Sequence, residues 1–188
     1  MRHAFPGGTP ALDFSGTLRF RHRVEPQEDL DSPESLGCWF RECGITERDI
    51  PCGAADLREA VTLREAIHRL VAARMSGEVY DRDALALVNE HARQPTPVPQ
   101  LTETGRHVEA TAGQALACVA RDAVGVLGDP DVPLKECAAP DCSQIFVDRS
   151  RGARREWCAM DPCGNRIKAA AYRARQRVSG QGERRRVR

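Results

Sequence analysis

Cys137-Ala-Ala-Pro-Asp-Cys142 and Cys158-Ala-Met-Asp-Pro-Cys163 are two matched cysteine pairs, each enclosing four residues, with fifteen residues between them. Four thiolates at this spacing can complete a tetrahedral zinc shell with Zn–S distances of about 2.3 Å. The Pro-Asp and Asp-Pro steps favour turns that bring the sulfurs of each pair together. Because protein thiolates fill every position, we expect one structural Zn²⁺ and not a catalytic metal. Four unrelated thiols are the alternative, which the matched spacing disfavours.

The residues around the two pairs are too few and too polar to fold by burial alone, so a metal ion is expected to stabilise them. Gln144–Val147 is a short β-prone run. Phe146 and Trp157 are predicted to pack beside the metal site and to form a small core. Gly164 allows the backbone to turn tightly around Cys163.

A basic segment follows the second pair directly. Its many alanines and arginines predict a helix over residues 165–178, in which few large apolar side chains face inward. Such a helix suits phosphate binding or insertion into a DNA groove. The predicted DNA-binding residues are Arg154, Arg155, Arg166, Lys168, Arg173 and Arg175. Some of these cations could instead offset the −2 charge of a zinc tetrathiolate, and the helix could be solvated or dock a protein.

Charge is distributed unevenly along the chain, although the formal net charge is only +1. Residues 149–188 contain thirteen Lys/Arg against three Asp/Glu, which gives +10, whereas residues 1–148 carry fifteen against twenty-four, which gives −9. A basic end on an acidic body indicates a polyanionic partner, and double-stranded DNA fits best. A solvated tail is the simpler alternative.

The fold class predicted from the patterns is α+β, with a mostly helical body over residues 1–130 and a four-cysteine zinc module over 131–188. The predicted body helices are Pro33–Cys43, Asp56–Ser76, one capped by Asp81 and ending near Arg93, and Thr111–Leu127. Alternating residues predict an early strand or hairpin within Leu12–Val24. A second hairpin is predicted from Val98–Leu101 and His107–Ala110.

Composition also limits the classes of function. No apolar run approaches the roughly 20 residues that cross a bilayer, and the first residues lack the apolar core of a signal peptide. We therefore expect a cytoplasmic protein, nucleoid-associated if it binds DNA, in which grouped cysteines bind metal and do not form disulfides. No catalytic motif is visible, so an enzyme is not expected.

Two further groups of residues are candidate sites. Cys38, Cys43 and Cys52 could form a second metal site, but buried thiols explain them better because no fourth ligand is obvious. Arg19 and its neighbours Arg21 and Arg23 could grip an anionic effector, although a solvated strand face is the simpler interpretation.

The C-terminal motif resembles the CGNR zinc-finger family over about forty residues. The resemblance is carried by the four cysteines and by Phe146-Val147-Asp148-Arg149-Ser150, Trp157 and Cys163-Gly164-Asn165-Arg166. The body resembles the ABATE domain of stress-induced transcriptional regulators, through Leu12-Asp13-Phe14, Trp39 and Leu57-Arg58-Glu59-Ala60. Gly16 stands where that family usually has asparagine.

The resemblance implies that the four paired cysteines bind zinc and that the finger binds DNA, with a role in transcription under stress. The body would then sense a small-molecule effector or form a homodimer. A ligand-binding or protein-interaction module whose zinc finger docks a protein partner is the alternative. An apolar pocket with Arg19 or Arg21 at its mouth would support that alternative.

Overall fold

The computed structural model of the chain describes residues 3–173 and 175, and its α+β architecture agrees with the predicted fold class. Its helices are α1 (Pro10–Ser15), α2 (Pro33–Glu42), α3 (Ala54–Ser76), α4 (Arg82–Arg93), α5 (Ala112–Gly128) and α6 (165–173). Its strands form antiparallel pairs: β1 (Leu18–Arg19) with β2 (Gln27–Glu28), β3 (Gln100–Thr102) with β4 (Gly105–His107), and β5 (Leu134–Glu136) with β6 (Ile145–Val147). Apart from residue 175, the predicted helix beyond 173 lies outside the described residues.

Side-chain caps explain where most of the body helices begin. Ser32 caps α2 by accepting from Ser35 N–H, and the Ser35 hydroxyl reciprocates at Ser32 N–H. Asp81 caps α4, and Thr111 caps α5. At the other end of α3, Gly77 adopts the left-handed conformation that closes a helix. The predicted helices of the body are therefore confirmed, with shifts of one or two residues at their ends.

The predicted strand within Leu12–Val24 is wrong for most of its length. Residues 10–15 form a helix because Thr9 caps it and Pro10 occupies its first turn. The chain leaves the short strand β1 at Phe20, whose φ of +55° ends the extended run. Val24 is fully exposed, so the alternation that suggested a half-buried strand has no packing partner. The later hairpin is confirmed as β3–β4, but its strands are shorter and lie closer to the turn, sharing only residues 100–101 and 107 with the predicted ranges.

The body core is formed where helices α1, α2, α3, α4 and α5 converge. Trp39 lies at its centre and is fully buried. Its ring packs 4.9 Å from Phe14, 5.8 Å from Phe40 and 5.9 Å from Phe5 between centroids, in tilted and edge-on arrangements. The aromatic cluster thereby fixes α1 and the N-terminal segment against α2.

An arginine is buried beside this core, which the sequence did not predict. Arg64 of α3 is 2% exposed and donates to Glu28 at 2.6 Å, to Glu65 at 2.9 Å and to the Thr17 hydroxyl at 3.3 Å. Arg21 donates to both carboxylate oxygens of Glu65, at 2.8 and 3.1 Å, and shares Oε1 with Arg64. Arg21 therefore belongs to an internal ion-pair network and not to a solvated strand face.

The strand β6 connects the body to the cysteine module, because its alternate side chains enter two different cores. Ile145 and Val147 pack into the body core, whereas Phe146 packs with the cysteines. Val147 N–H donates to Gly7 O at 2.9 Å, and Gln144 Nε2 donates to Leu12 O at 3.2 Å. The module is thus packed directly against the body.

Asp13 holds the N-terminal segment at this junction. Its carboxylate accepts from Gly7 N–H at 2.6 Å. Burial raises the pKa of Asp13 from 3.8 to about 7; the backbone bond from Gly7 opposes this shift, and nearby Asp122 adds to it.

Among the residues described, no helix is long and apolar enough to cross a bilayer.

We predict that Asp13→Asn reduces the pH dependence of stability. The folded-state pKa of Asp13 lies above its unfolded value, so its contribution is fully present below pH 3.8 and is lost as pH rises through about 7. Between pH 5.5 and 8 this amounts to about 2 kcal/mol of unfolding free energy, which the asparagine variant should not lose. Urea unfolding of both proteins across that pH range measures the difference, and parallel curves would contradict the prediction.

Candidate metal centre and basic helix

The four paired cysteines come together at the centre of the module. Their four Sγ atoms all lie within 4.8 Å of one another, and Cys137, Cys158 and Cys163 are buried. The Sγ atoms of Cys142 and Cys158 are 3.8 Å apart, as are those of Cys158 and Cys163. A tetrahedron with Zn–S bonds of about 2.3 Å has S–S edges of about 3.8 Å, so the cluster has the dimensions of a zinc tetrathiolate.

Burial and mutual charge oppose the ionisation of all four thiols in the absence of a cation. Hydrogen bonding from Cys158 lowers the pKa of Cys142 to about 5, whereas burial and the charge of Cys142 raise the pKa of Cys163 to about 11. The same hydrogen bond with Cys142, together with burial, raises the pKa of Cys158. Four thiolates therefore cannot ionise together so close to one another unless a bound cation offsets their charge.

Tight backbone turns present the sulfurs. Cys142 N–H donates to Ala139 O at 2.9 Å, and Gly164 N–H donates to Ala159 O at 3.1 Å. Side chains crowd Gly164, because a Cβ there would lie 2.9 Å from Met160 Sδ and 3.3 Å from the Trp157 ring. Gly164 does not have a positive φ, so the glycine fits here because the neighbouring side chains leave little room and not because of the predicted backbone freedom.

A small apolar shell surrounds the sulfurs. Phe146 is fully buried against them, and Trp157 and Ile167 pack beside it half-buried. The predicted packing of Phe146 and Trp157 is confirmed. Ile167 is the residue that anchors α6 to this shell, whereas Ala171 and Tyr172 are exposed. Helix α6 is therefore fixed at its start.

Five of the six predicted DNA-binding residues are exposed in the structure, and one is turned inward. Arg155 is turned inward: its guanidinium lies 4.4 Å from the Phe146 ring centroid and donates to Trp157 O and Pro6 O. Lys168 Nζ lies 5.9 Å from the Trp157 ring centroid, although its residue is exposed. The remaining members are exposed, namely Arg154, Arg166, Arg173 and Arg175.

Asp148 orders the basic loop before the second cysteine pair. Its buried carboxylate accepts from Ser150 N–H at 3.0 Å, from Arg155 N–H at 3.1 Å and from Lys135 Nζ at 2.8 Å. The bond from Lys135, followed by that from the Ser150 hydroxyl, holds the pKa of Asp148 well below its usual range. This role of Asp148 was not predicted, although serine two residues after aspartate is a signal for such a turn.

The comparisons with known families agree with this geometry. Residues 8–130 match ABATE, described as "Putative stress-induced transcription regulator", and residues 134–176 match the CGNR zinc finger. The chain belongs to the ABATE family. No curated protein sequence matches it.

In this ABATE protein the four-cysteine cluster fits one structural zinc ion, held by Cys137, Cys142, Cys158 and Cys163. The junction between the two matched segments explains the glycine at position 16. A Cβ on Gly16 would lie 2.0 Å from Gln144 Oε1, so glycine leaves the space that this side chain of the zinc module occupies. The bond from Gln144 to Leu12 O depends on that space.

A cavity of about 70 Å³ lies at the same junction. Its walls include Arg19, Phe20 and Asp29 from the body and Cys142 and Arg166 from the zinc module. Cys158 and Cys163 also border it, so a zinc ion bound by the cluster would lie beside this cavity. The volume is small beside the roughly 300–1,000 Å³ of ordinary ligand pockets.

Proposed function

We propose that this ABATE protein is a DNA-binding transcriptional regulator, whose zinc site is structural and whose basic helix contacts duplex DNA. One observation carries the proposal: helix α6 is anchored to the cysteine cluster through Ile167 and presents exposed cations along its length. Arg166 and Arg173 are seven residues apart and share one face of the helix. The family description of the body as a transcription regulator supports the same function.

Electrostatic capture is the proposed mechanism. The exposed arginines of α6 and Arg154 of the preceding loop would pair with backbone phosphates, and one or two of them would read base edges in the major groove. Arg155 would contribute by holding the loop, because its guanidinium already donates to Trp157 O and Pro6 O. The acidic body would remain away from DNA, and no catalytic step is part of the proposal.

We expect Arg166→Ala/Arg173→Ala to weaken DNA binding by about tenfold or more, since two charge-assisted contacts are lost. The plot of log affinity against log salt concentration has a negative slope, and its magnitude should decrease by about two. Fluorescence anisotropy with a pool of duplexes, measured from low to physiological salt, gives both quantities.

Arg82→Ala is the matched control, because Arg82 is an exposed arginine on helix α4 of the body. Its affinity and salt slope should equal those of the unmodified chain. Binding that does not depend on salt, or that survives the double substitution unchanged, would contradict DNA recognition by α6. Zinc content should be the same in all three proteins, so a loss of binding cannot reflect an unfolded module.

Binding of a small molecule at the junction is the second candidate function, and the cavity lined by Arg19 favours it. The guanidinium of Arg19 lies 5.1 Å from the Phe20 ring centroid, so a cation and an aromatic face are adjacent there. A carboxylate of a few heavy atoms would match this size and charge. Stabilisation by acetate that Arg19→Ala abolishes, in a protein that does not bind DNA, would favour this function over the first.

A further inference from the structure

A second group of possible metal ligands lies in the body, away from the paired cysteines. His3, Cys38 and Glu42 each place one ligand atom within 4.8 Å of the other two. Cys38 and Glu42 are four residues apart on α2 and so share a face of that helix. His3 comes from the segment before α1 and brings its imidazole onto that face.

Glu42 holds the imidazole of His3 in place. Glu42 Oε2 lies 2.7 Å from His3 Nδ1 and also accepts from His3 N–H at 2.8 Å, which fixes the ring beside the carboxylate. The His3 side chain is 2% exposed. Its Nε2 is buried and has no hydrogen-bond partner among residues 3–173 and 175. Because Nε2 lies on the opposite side of the ring from Glu42, a metal ion shared with Cys38 and Glu42 would bind His3 through Nδ1.

We propose that His3, Cys38 and Glu42 bind a second metal ion, such as Zn²⁺ or Co²⁺. An imidazole, a thiolate and a carboxylate form a ligand set that suits Zn²⁺ or Co²⁺, and three protein ligands leave a coordination position open. The site therefore differs from the closed tetrathiolate and should release its metal more readily. Among the described residues, no group of three possible ligands includes Cys43 or Cys52.

Arg41 is the nearby cation that a metal ion must tolerate. Its guanidinium lies 3.4 Å from Cys38 Sγ and 3.9 Å from Glu42 Oε1, and it also donates to Asp49 at 2.5 Å. The Arg41 side chain is 41% exposed, so it can turn toward solvent while it remains paired with Asp49. Arg41 would therefore lie beside Cys38 when the site is empty and would turn toward solvent when a metal ion binds.

The position of His3 gives the site a consequence beyond binding. The segment that follows it reaches the zinc module, where Pro6 O accepts from Arg155 and Gly7 O accepts from Val147 N–H. Metal binding at His3 would fix the start of this segment to α2. Occupancy of the second site would therefore stabilise the junction between the body and the zinc module.

The test is cobalt titration of the full chain, followed by elemental analysis after gel filtration. We expect two metal equivalents per chain, the first with absorption from four cobalt–sulfur bonds and the second with absorption from one. Cys38→Ser and Glu42→Gln should each bind one equivalent and retain the spectrum of the tetrathiolate. Cys52→Ser, which removes a half-buried cysteine outside the cluster, should still bind two.

A stoichiometry of one in the unmodified chain, at cobalt concentrations that saturate the tetrathiolate, would overturn the proposal. So would a second equivalent that persists in both Cys38→Ser and Glu42→Gln. Circular dichroism of the variants checks that helix α2 is intact. The experiment does not involve DNA, so its outcome is independent of the proposed function.

Discussion

Cys158→Ser abolishes zinc binding at the tetrathiolate and unfolds the module while the helical body remains folded. Cys158 lies 3.8 Å from the sulfurs of both Cys142 and Cys163, so its loss opens the metal shell. Structural zinc contributes about 10–16 kcal/mol to the folding of small finger modules, which far exceeds what Phe146 and Trp157 can replace by burial. This is the largest effect that we expect from a single substitution.

The two tryptophans provide the measurement, since the chain contains no others. Trp39 is buried in the body core, whereas Trp157 packs beside the cysteines. In the variant, quenching by iodide should reach Trp157 and leave Trp39 protected, and elemental analysis should show that the tetrathiolate equivalent is gone. Cys118→Ser, in a half-buried position of α5, is the control that should keep both properties. Full zinc occupancy in Cys158→Ser would show that the cluster is not the structural site.

Arg64→Ala should lower the free energy of unfolding of the body by about 3 kcal/mol, because it removes charged hydrogen bonds from a buried network. Glu28 would lose its 2.6 Å partner, and Glu65 would keep only Arg21. Burial raises the pKa of Glu65, but the guanidinium groups of Arg21 and Arg64 outweigh it and lower that pKa. Urea denaturation followed by circular dichroism measures the loss.

Two matched substitutions show whether the charge of Arg64 or its packing is responsible. Arg64→Met retains a long side chain but not the charge, and should remain destabilised by most of the same amount. Arg58→Ala removes an exposed arginine from the same helix and should change the unfolding free energy by less than about 0.5 kcal/mol. Equal stabilities for Arg64→Ala and Arg58→Ala would contradict the network.

The sequence predicted the metal site well because its signals are local. The spacing of Cys137/Cys142 and Cys158/Cys163 and the turn residues between them fix where the sulfurs can go. Helices α2, α4 and α5 were also predictable, since their caps lie beside them in the chain. Helix α1 could not be predicted from periodicity, because it has only six residues and the alternation over Leu18–Val24 favours a strand nearby.

Contacts between distant parts of the chain could not be predicted in this way. Arg64 and Glu28 are 36 residues apart, and no local pattern marks them as partners. The inward position of Arg155 depends on Pro6, which lies 149 residues away in the chain. The same is true of His3 and Glu42, 39 residues apart, whose proximity suggested a second metal site.

The sequence by itself determined that this chain has a basic module with a four-cysteine zinc site, joined to an acidic helical body. Cysteine spacing, charge and helix caps are properties of neighbouring residues, so they can be recognised without the fold. Only the tertiary structure decided how the two parts meet. Strand β6 directs Ile145 and Val147 into one core and Phe146 into the other, and Gly16 leaves room for Gln144. These contacts depend on the packing of segments far apart in the chain, which sequence spacing does not encode.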